Sequence, residues 1–234
     1  MIGKGIEINN THTYKDLGVS ISSKTIGAPT LNRITESVPF MNGIYDFSNL
    51  YGEETYDERV LQYEFDLSDI SKTKINYKKI KLINFFQKNQ NTILKDDSIP
   101  GYFFYLEKMT NHSFKESGLE AKLSISLSAQ PFKIRTYEEG NIPWDDFIFD
   151  LDTLQKTKFN VQGSKDIKLY NESAKSITPI IVSDSEMQIL KNGVTYIVSK
   201  GEIKDYRLNL NIGENKLTIN GNGNIEFKFR KEIL

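Results

Sequence analysis

Cysteine is absent from the 234 residues, which excludes a disulfide framework and every thiolate metal site and leaves the redox compartment open. Histidine is nearly absent. Only His12 and His112 occur, and neither has a second His, Asp or Glu at metal-ligand spacing on a common expected face. Tryptophan occurs once, as Trp144, and arginine five times (Arg33, Arg59, Arg135, Arg207, Arg230). A surplus of charge is missing too: the net charge is −1, with 16 basic and 16 acidic residues over 1–133. Nonspecific nucleic-acid binding neutralises several phosphates from one basic face, and nothing in this balance points to one. Long apolar runs are also lacking. The longest is Tyr102 to Leu106, far short of the roughly 20 residues of a membrane span. The first residues alternate (Gly5-Ile6-Glu7-Ile8-Asn9) where a secretory signal would be an apolar block. A soluble chain without a membrane partner is expected.

What is present is period two. Leu61, Tyr63, Phe65 and Leu67 alternate with Gln62, Glu64 and Asp66, and from Leu119 to Ala129 every odd position is apolar. Successive side chains of a strand point to opposite faces, so both segments are expected as strands with one buried face. Between Thr73 and Lys88 the pattern changes to one amphipathic helix. Leu82, Phe86, Ile83 and Ile80 are expected on its buried arc, four lysines on the opposite one, and Ser71 or Thr73 at its N-cap. The polar stretch Tyr137 to Pro143 breaks the strand rhythm, which places a domain boundary near 135. Beyond it, short strands are expected at Lys158–Val161, Ile167–Tyr170, Thr178–Val182, Met187–Leu190, Val194–Val198, Tyr206–Ile212, Lys216–Ile219 and Ile225–Phe229. Turns are expected at Lys191-Asn192-Gly193, Ile212–Asn215 and Asn220–Asn224, because Asn-Gly supplies the positive φ of tight hairpins. The reading is mainly β: residues 1–135 a β domain with one helix, residues 136–234 an antiparallel β-sandwich or barrel. Residues 225–234 either complete the second domain or return to the first.

The search for chemistry is nearly empty. His112, in Thr110-Asn111-His112-Ser113, is expected in a polar connection between two strands. Trp144-Asp145-Asp146, with Asp150 and Asp152 following, is the one place where paired carboxylates beside an aromatic would suit a glycoside hydrolase. Adjacent aspartates on a strand point to opposite faces, however, and acidic turns are common, so no catalytic, cofactor or metal residue is assigned. Trp144 is expected as a core or domain-junction anchor, with sugar contact as the alternative. Tyr170, Tyr196 and Tyr206 are further aromatics a sugar could use.

One region carries a particular wording: Val38-Pro39-Phe40-Met41-Asn42-Gly43-Ile44-Tyr45-Asp46-Phe47-Ser48, then Tyr51-Gly52-Glu53, then Tyr56-Asp57-Glu58-Arg59-Val60-Leu61-Gln62-Tyr63-Glu64-Phe65. It resembles the distal tail proteins of siphophages and prophages of Gram-positive hosts, in which a Val-Pro-x-x-x-Gly turn leads to a Tyr-x-x-Arg strand. Asn9 to Gly18, Pro29, the helix, Leu94 to Tyr102 and a long strand ending near Pro131-Phe132 follow the family's order. Phe40-Met41-Asn42 departs from it, since many members read Gly-Arg-Asp there. The resemblance covers residues 1–133 well and reaches the second half through architecture and the ending Asn220–Leu234.

The resemblance implies a structural protein of the phage tail tip or baseplate and not an enzyme. The N-terminal β-sandwich-like domain would close into a hexameric ring, and an extended segment near the amino end would reach the neighbouring copy. The second domain would be galectin-like or carbohydrate-module-like. The ring would join the major tail protein to the tail-associated lysin or fibre protein and carry receptor-binding proteins. DNA would at most pass through it, and the location would be the virion after assembly in the host cytoplasm. Tyr45, Tyr51, Tyr56 and Arg59 are the candidate subunit-interface residues, although Arg59 alone reads as a surface arginine paired with a carboxylate. Trp144 is the candidate glycan contact if the second domain binds the host wall.

Overall fold

The computed structural model describes residues 5–50 and 52–234. The chain divides into two compact units, Met1–Ile134 with Leu234, and Arg135–Ile233. Both are mainly β, and the strand pairings whose register is described are antiparallel.

The first unit contains β1 (Ile6–Ile8), β2 (Thr11–His12), β3 (Ser20–Ile26), β4 (Thr35–Glu36), β5 (Tyr45–Asp46), β6 (Arg59–Asp66), α1 (Lys72–Lys88), β7 (Thr92–Asp96), β8 (Tyr102–Ser117) and β9 (Glu120–Arg135). Its sheet runs in the order β2-β1-β7-β8-β9-β6-β3. The alternation that predicts β6 and β9 is visible in their burial, with Leu61, Tyr63 and Phe65 facing inward beside Leu123, Ile125 and Leu127. Helix α1 covers this face with Ile75, Leu82 and Phe86, the last 5.7 Å from the Phe65 ring centroid. Ile80 does not join them and is 56% exposed. At 100° per residue it lies roughly 140° from Ile75, outside the narrow arc that reaches the sheet. Ser71 is the N-cap but makes no side-chain capping bond, and no acidic residue occupies the first turn. Lys72 and Lys74 stand there instead, where the helix dipole disfavours positive charge by a few tenths of a kcal/mol each.

His112 lies within β8, not in a connection between strands. The β8–β9 hairpin is longer than hydrophobic alternation reveals, because from Lys108 most of β8 is exposed on both faces and carries no period-two signal. Gly118 turns it with φ +67.

Between Leu31 and Tyr56 the chain leaves the sheet. An isolated Leu31–Tyr56 bridge, with Asn32 N–H donating to Thr55 O (2.8 Å) and Asp57 N–H to Thr30 O (2.9 Å), closes the neck of an arm. Among the arm's described residues the only sheet is the pairing of two-residue strands β4 and β5, and none of them is buried.

The second unit contains β10 (Lys158–Asn171), β11 (Ile180–Ser183), β12 (Met187–Lys191), β13 (Val194–Val198), β14 (Gly201–Ile203) and β15 (Gly213–Lys228). Its sheet order is β13-β12-β15-β11-β14, with β10 also on β15, around Val161, Leu169, Ile181, Ile189, Leu210, Ile219 and Phe227. Ile225–Ile233 lies in this unit.

Three expectations fail here, one of them the turn at Ile212–Asn215, of which Gly213–Asn215 begin β15 and pair with Leu169–Asn171 of β10. Asn220–Asn224 is not a turn but the middle of β15, paired residue by residue with β10 from Asn224↔Asn160 to Asn220↔Ser164. Gly221 and Gly223 do adopt positive φ (145° and 136°), yet they serve close approach rather than reversal. A Cβ on Gly221 would stand 2.9 Å from Met187 Cγ, where β15 passes from pairing with β12 to pairing with β11. Tyr206–Ile212 is likewise no strand and contributes only an isolated Ile177–Leu210 bridge.

Candidate interaction surfaces

Among the described residues no group of three or more His, Asp and Glu could hold a metal ion. His12 is structural: its Nδ1 accepts the backbone N–H groups of Tyr14 and Lys15, which leaves Nε2–H to donate to Asp97 at 3.1 Å. The ring lies under Gly5, where a Cβ would approach it to 2.3 Å.

The aspartates after Trp144 do not form a pair. Asp146 accepts the Tyr137 hydroxyl at 2.6 Å, while Asp152 is buried and bonded to the Arg135 guanidinium at 2.8 Å. The same Asp152 Oδ2 accepts the Ile148 N–H, and Arg135 also donates to Asp146 O. Lys231 donates to Leu151 O. These bonds tie the segment's backbone down and turn its apolar side chains outward. Trp144, expected as a core or junction anchor, is 69% exposed, stacked on Phe147 (5.7 Å, 12°) with Phe149 edge-on (5.6 Å). Buried charge fixes the backbone here, and that leaves the indole no cavity to fill.

The three described candidate interface residues stand in different settings. Tyr45 lies on β5 in the arm, exposed and stacked on Phe47 at 6.0 Å. Tyr56 closes the neck, its hydroxyl donating to Glu54 (2.9 Å) and its ring edge-on to Phe132 (5.9 Å). Tyr51 falls outside the described residues. Arg59 is no surface arginine: it is 3% exposed, on the inward side of β6 with Leu61 and Tyr63. Its guanidinium carbon stands 5.6 Å from the Phe104 ring centroid, and Nε and Nη2 have no hydrogen-bond partner among the described residues. Burial depresses its pKa, and its charge adds to the burial that depresses Lys133. The pleat places it inside, since the odd positions 59, 61, 63 and 65 share one face.

The arm presents a feature the sequence pattern did not single out. Met41 N–H donates to Val38 O (3.2 Å), with Pro39 second and Phe40 third in the turn. Phe40 has φ +66, the position of a type II turn that favours Gly or Asn. Its side chain is also fully exposed. Ile34, Met41, Ile44, Tyr45 and Leu50 of the same arm are exposed as well.

In the second unit, Lys158, Asn160, Asp184, Asn224 and Glu226 line a groove of about 530 Å³ with Phe159 and Val182. Asn224 is fixed between Asp184 (2.8 Å from its N–H) and Asn160 (3.0 Å). Neither Trp144, Tyr170, Tyr196 nor Tyr206 lines this groove.

No protein-family model and no curated protein matches the chain in sequence. Among solved structures it is similar to the Dit protein of phage SPP1, described as a paradigm of the hub adsorption apparatus in phages infecting Gram-positive bacteria. The match covers 99% of each chain at a TM-score of 0.67 and 13% identity. A chain of the phage P2 baseplate in its activated, calcium-containing conformation matches over 99% of this chain and 98% of that one, at 10% identity and a TM-score of 0.43. The chain thus shares the fold of the SPP1 Dit protein.

Proposed function

We propose that this chain is a structural hub of a phage tail tip, with no bond-making chemistry of its own. In this reading the first unit assembles with five further copies into a ring, and the arm carrying Tyr45 reaches the adjacent copy. The ring would join the major tail protein to the tail-associated lysin or fibre protein, carry receptor-binding proteins and reside in the virion. The fold likeness supports the class of protein. The observation that carries assembly is the arm, a 26-residue excursion from Leu31 to Tyr56 without one buried described residue. A two-stranded hairpin is at best marginally stable in water, and contiguous exposed apolar surface marks an interface. A closed ring needs two unlike surfaces per subunit, and an arm with a separate receiving surface meets that requirement.

Light scattering at micromolar concentration with negative-stain images tests this. A ring of six copies is expected, and a chain that stays monomeric at every concentration, with no axial ring in an assembled tail, sinks the reading. The groove beside Asn160, Asp184 and Asn224 favours a second role for the other unit, since fixed amides and a carboxylate over an apolar floor suit a neutral sugar. Binding of the full chain to host-wall polysaccharide, lost in Asn224→Ala, is then expected; equal binding by that variant removes this role. Trp144 is the separate glycan candidate, and Trp144→Ala tests it in the same assay.

A further inference from the structure

We infer that the surface receiving the arm is the outer face of helix α1 on the adjacent copy, with Phe40 as the anchor between Tyr77 and Ile80. This rests on the ring reading above and names the contact that reading leaves open.

Charge and apolar surface complement each other on the two elements. From Leu31 to Tyr56 the chain has one basic residue, Arg33, against Glu36, Asp46, Glu53 and Glu54. From Lys72 to Lys88 there are six lysines and no acidic residue. Lys78 is held by Asp69 at 2.9 Å, Lys72 by Glu116 at 3.4 Å, and Lys79 lies over the Phe114 ring at 4.4 Å. Lys81 and Lys88 make no ion pair among the described residues. Beside them Tyr77 and Ile80 are 66% and 56% exposed, one helical step of three apart and so on one ridge.

Both elements are arranged against the interest of a lone subunit. The helix keeps Lys72 and Lys74 at its N-terminal end, where the dipole disfavours them and no side-chain cap bond is made, and only their pairs with Glu116 (3.4 Å) and Asp69 (4.0 Å) offset this. The arm keeps a fully exposed phenylalanine in a left-handed turn position that Gly or Asn would occupy without strain. Features of this kind persist where a partner requires them. The other exposed aromatic cluster, around Trp144, is the poorer receiver. Residues 136–155 contain no Lys or Arg, and of their acidic side chains Glu138, Asp145, Asp146 and Asp150 are not buried, so an acidic arm would meet like charge there.

The absence of native cysteine makes the test direct. Full-length Phe40→Cys and Ile80→Cys chains with different affinity tags are mixed, oxidised and run without reductant, alongside Phe40→Cys mixed with Trp144→Cys. Disulfide-linked heterodimers are expected in the first mixture and not in the second. In parallel, Lys74→Glu/Lys81→Glu/Lys88→Glu should raise the concentration at which rings dissociate about tenfold or more, and Glu36→Lys/Asp46→Lys on the arm should restore assembly in that background. If the wild type forms rings but the Phe40→Cys/Trp144→Cys mixture links and the Phe40→Cys/Ile80→Cys mixture does not, or rings of the triple variant assemble unchanged, this contact is overturned and the ring reading stands. A wild type that never leaves the monomer removes both.

Discussion

Two segments of this protein expose large apolar side chains, and they are held in opposite ways. The arm from Leu31 to Tyr56 is held by its neck bridge and the short β4–β5 pairing and has no buried described residue. The segment from Trp144 to Leu154 is equally apolar on its surface, yet its backbone is pinned by buried Arg135, Asp152 and Lys231. An unpinned arm gains its order on binding and pays conformational entropy at that moment, whereas a pinned platform is ordered in advance. In the proposed reading the first arrangement serves reach and the second a fixed display.

Removing the pin should have the largest effect. Asp152→Ala leaves Arg135 charged and buried, which costs about 3–5 kcal/mol. Chemical denaturation of the full chain should show this loss, while Asp150→Ala, an exposed neighbour, should stay within about 0.5 kcal/mol. Equal effects would mean that the segment is not pinned as described. The first unit has a softer counterpart. Asp96 accepts Lys24 at 2.8 Å and the Tyr63 hydroxyl at 3.0 Å, but Lys24 is 28% exposed and can return to water. Asp96→Asn should therefore cost about 1–3 kcal/mol. Burial raises the Asp96 pKa, but the bonds from Lys24 and Ser98 outweigh it and hold the carboxyl below its ordinary value. A depressed folded-state pKa means stability that is complete above the unfolded value of about 3.9 and is lost as pH falls through the lowered one. The gap between wild-type and Asp96→Asn urea midpoints should thus narrow below about pH 4; a constant gap would show that Asp96 is not ionised in the fold. Smaller still is Trp144→Ser, which removes the stacking on Phe147 and should cost about 0.5–1.5 kcal/mol.

Period two made β6 and β9 legible, and period 3.6 the helix between β6 and β7, because each buries one regular face in the first unit's core. Where burial stops, so does the signal. The outer half of β8 around His112 is exposed on both faces, and the arm has no core to face at all. Asn220–Asn224 misleads for a different reason. Its glycines have the positive φ of a turn, but here that conformation lets neighbouring strands approach within a long strand, a distinction only the tertiary partner Met187 makes. Arg59 could have been placed by its odd position on β6, yet the general exposure of arginine outweighed the pleat. The resemblance to distal tail proteins fixed on Val38 to Phe65, and the structure divides those residues between arm, neck and core.

Phe40 offers the smallest stability effect and the sharpest separation of folding from assembly. Its side chain buries nothing in the lone subunit, so losing it removes no core contact there. Its left-handed φ is tolerated better by asparagine, which reaches that region with less strain. Phe40→Asn should therefore leave the thermal midpoint of the dissociated chain unchanged or raise its stability by up to about 1 kcal/mol, while weakening assembly measured at matched concentration. Core residues give the reverse ordering: Phe65→Ala, at the contact with Phe86, should cost about 3–5 kcal/mol. If Phe40→Asn instead destabilised the dissociated chain by more than about 1 kcal/mol, the arm would have an internal partner. The contrast between reaching and displaying segments would then fail on its first term.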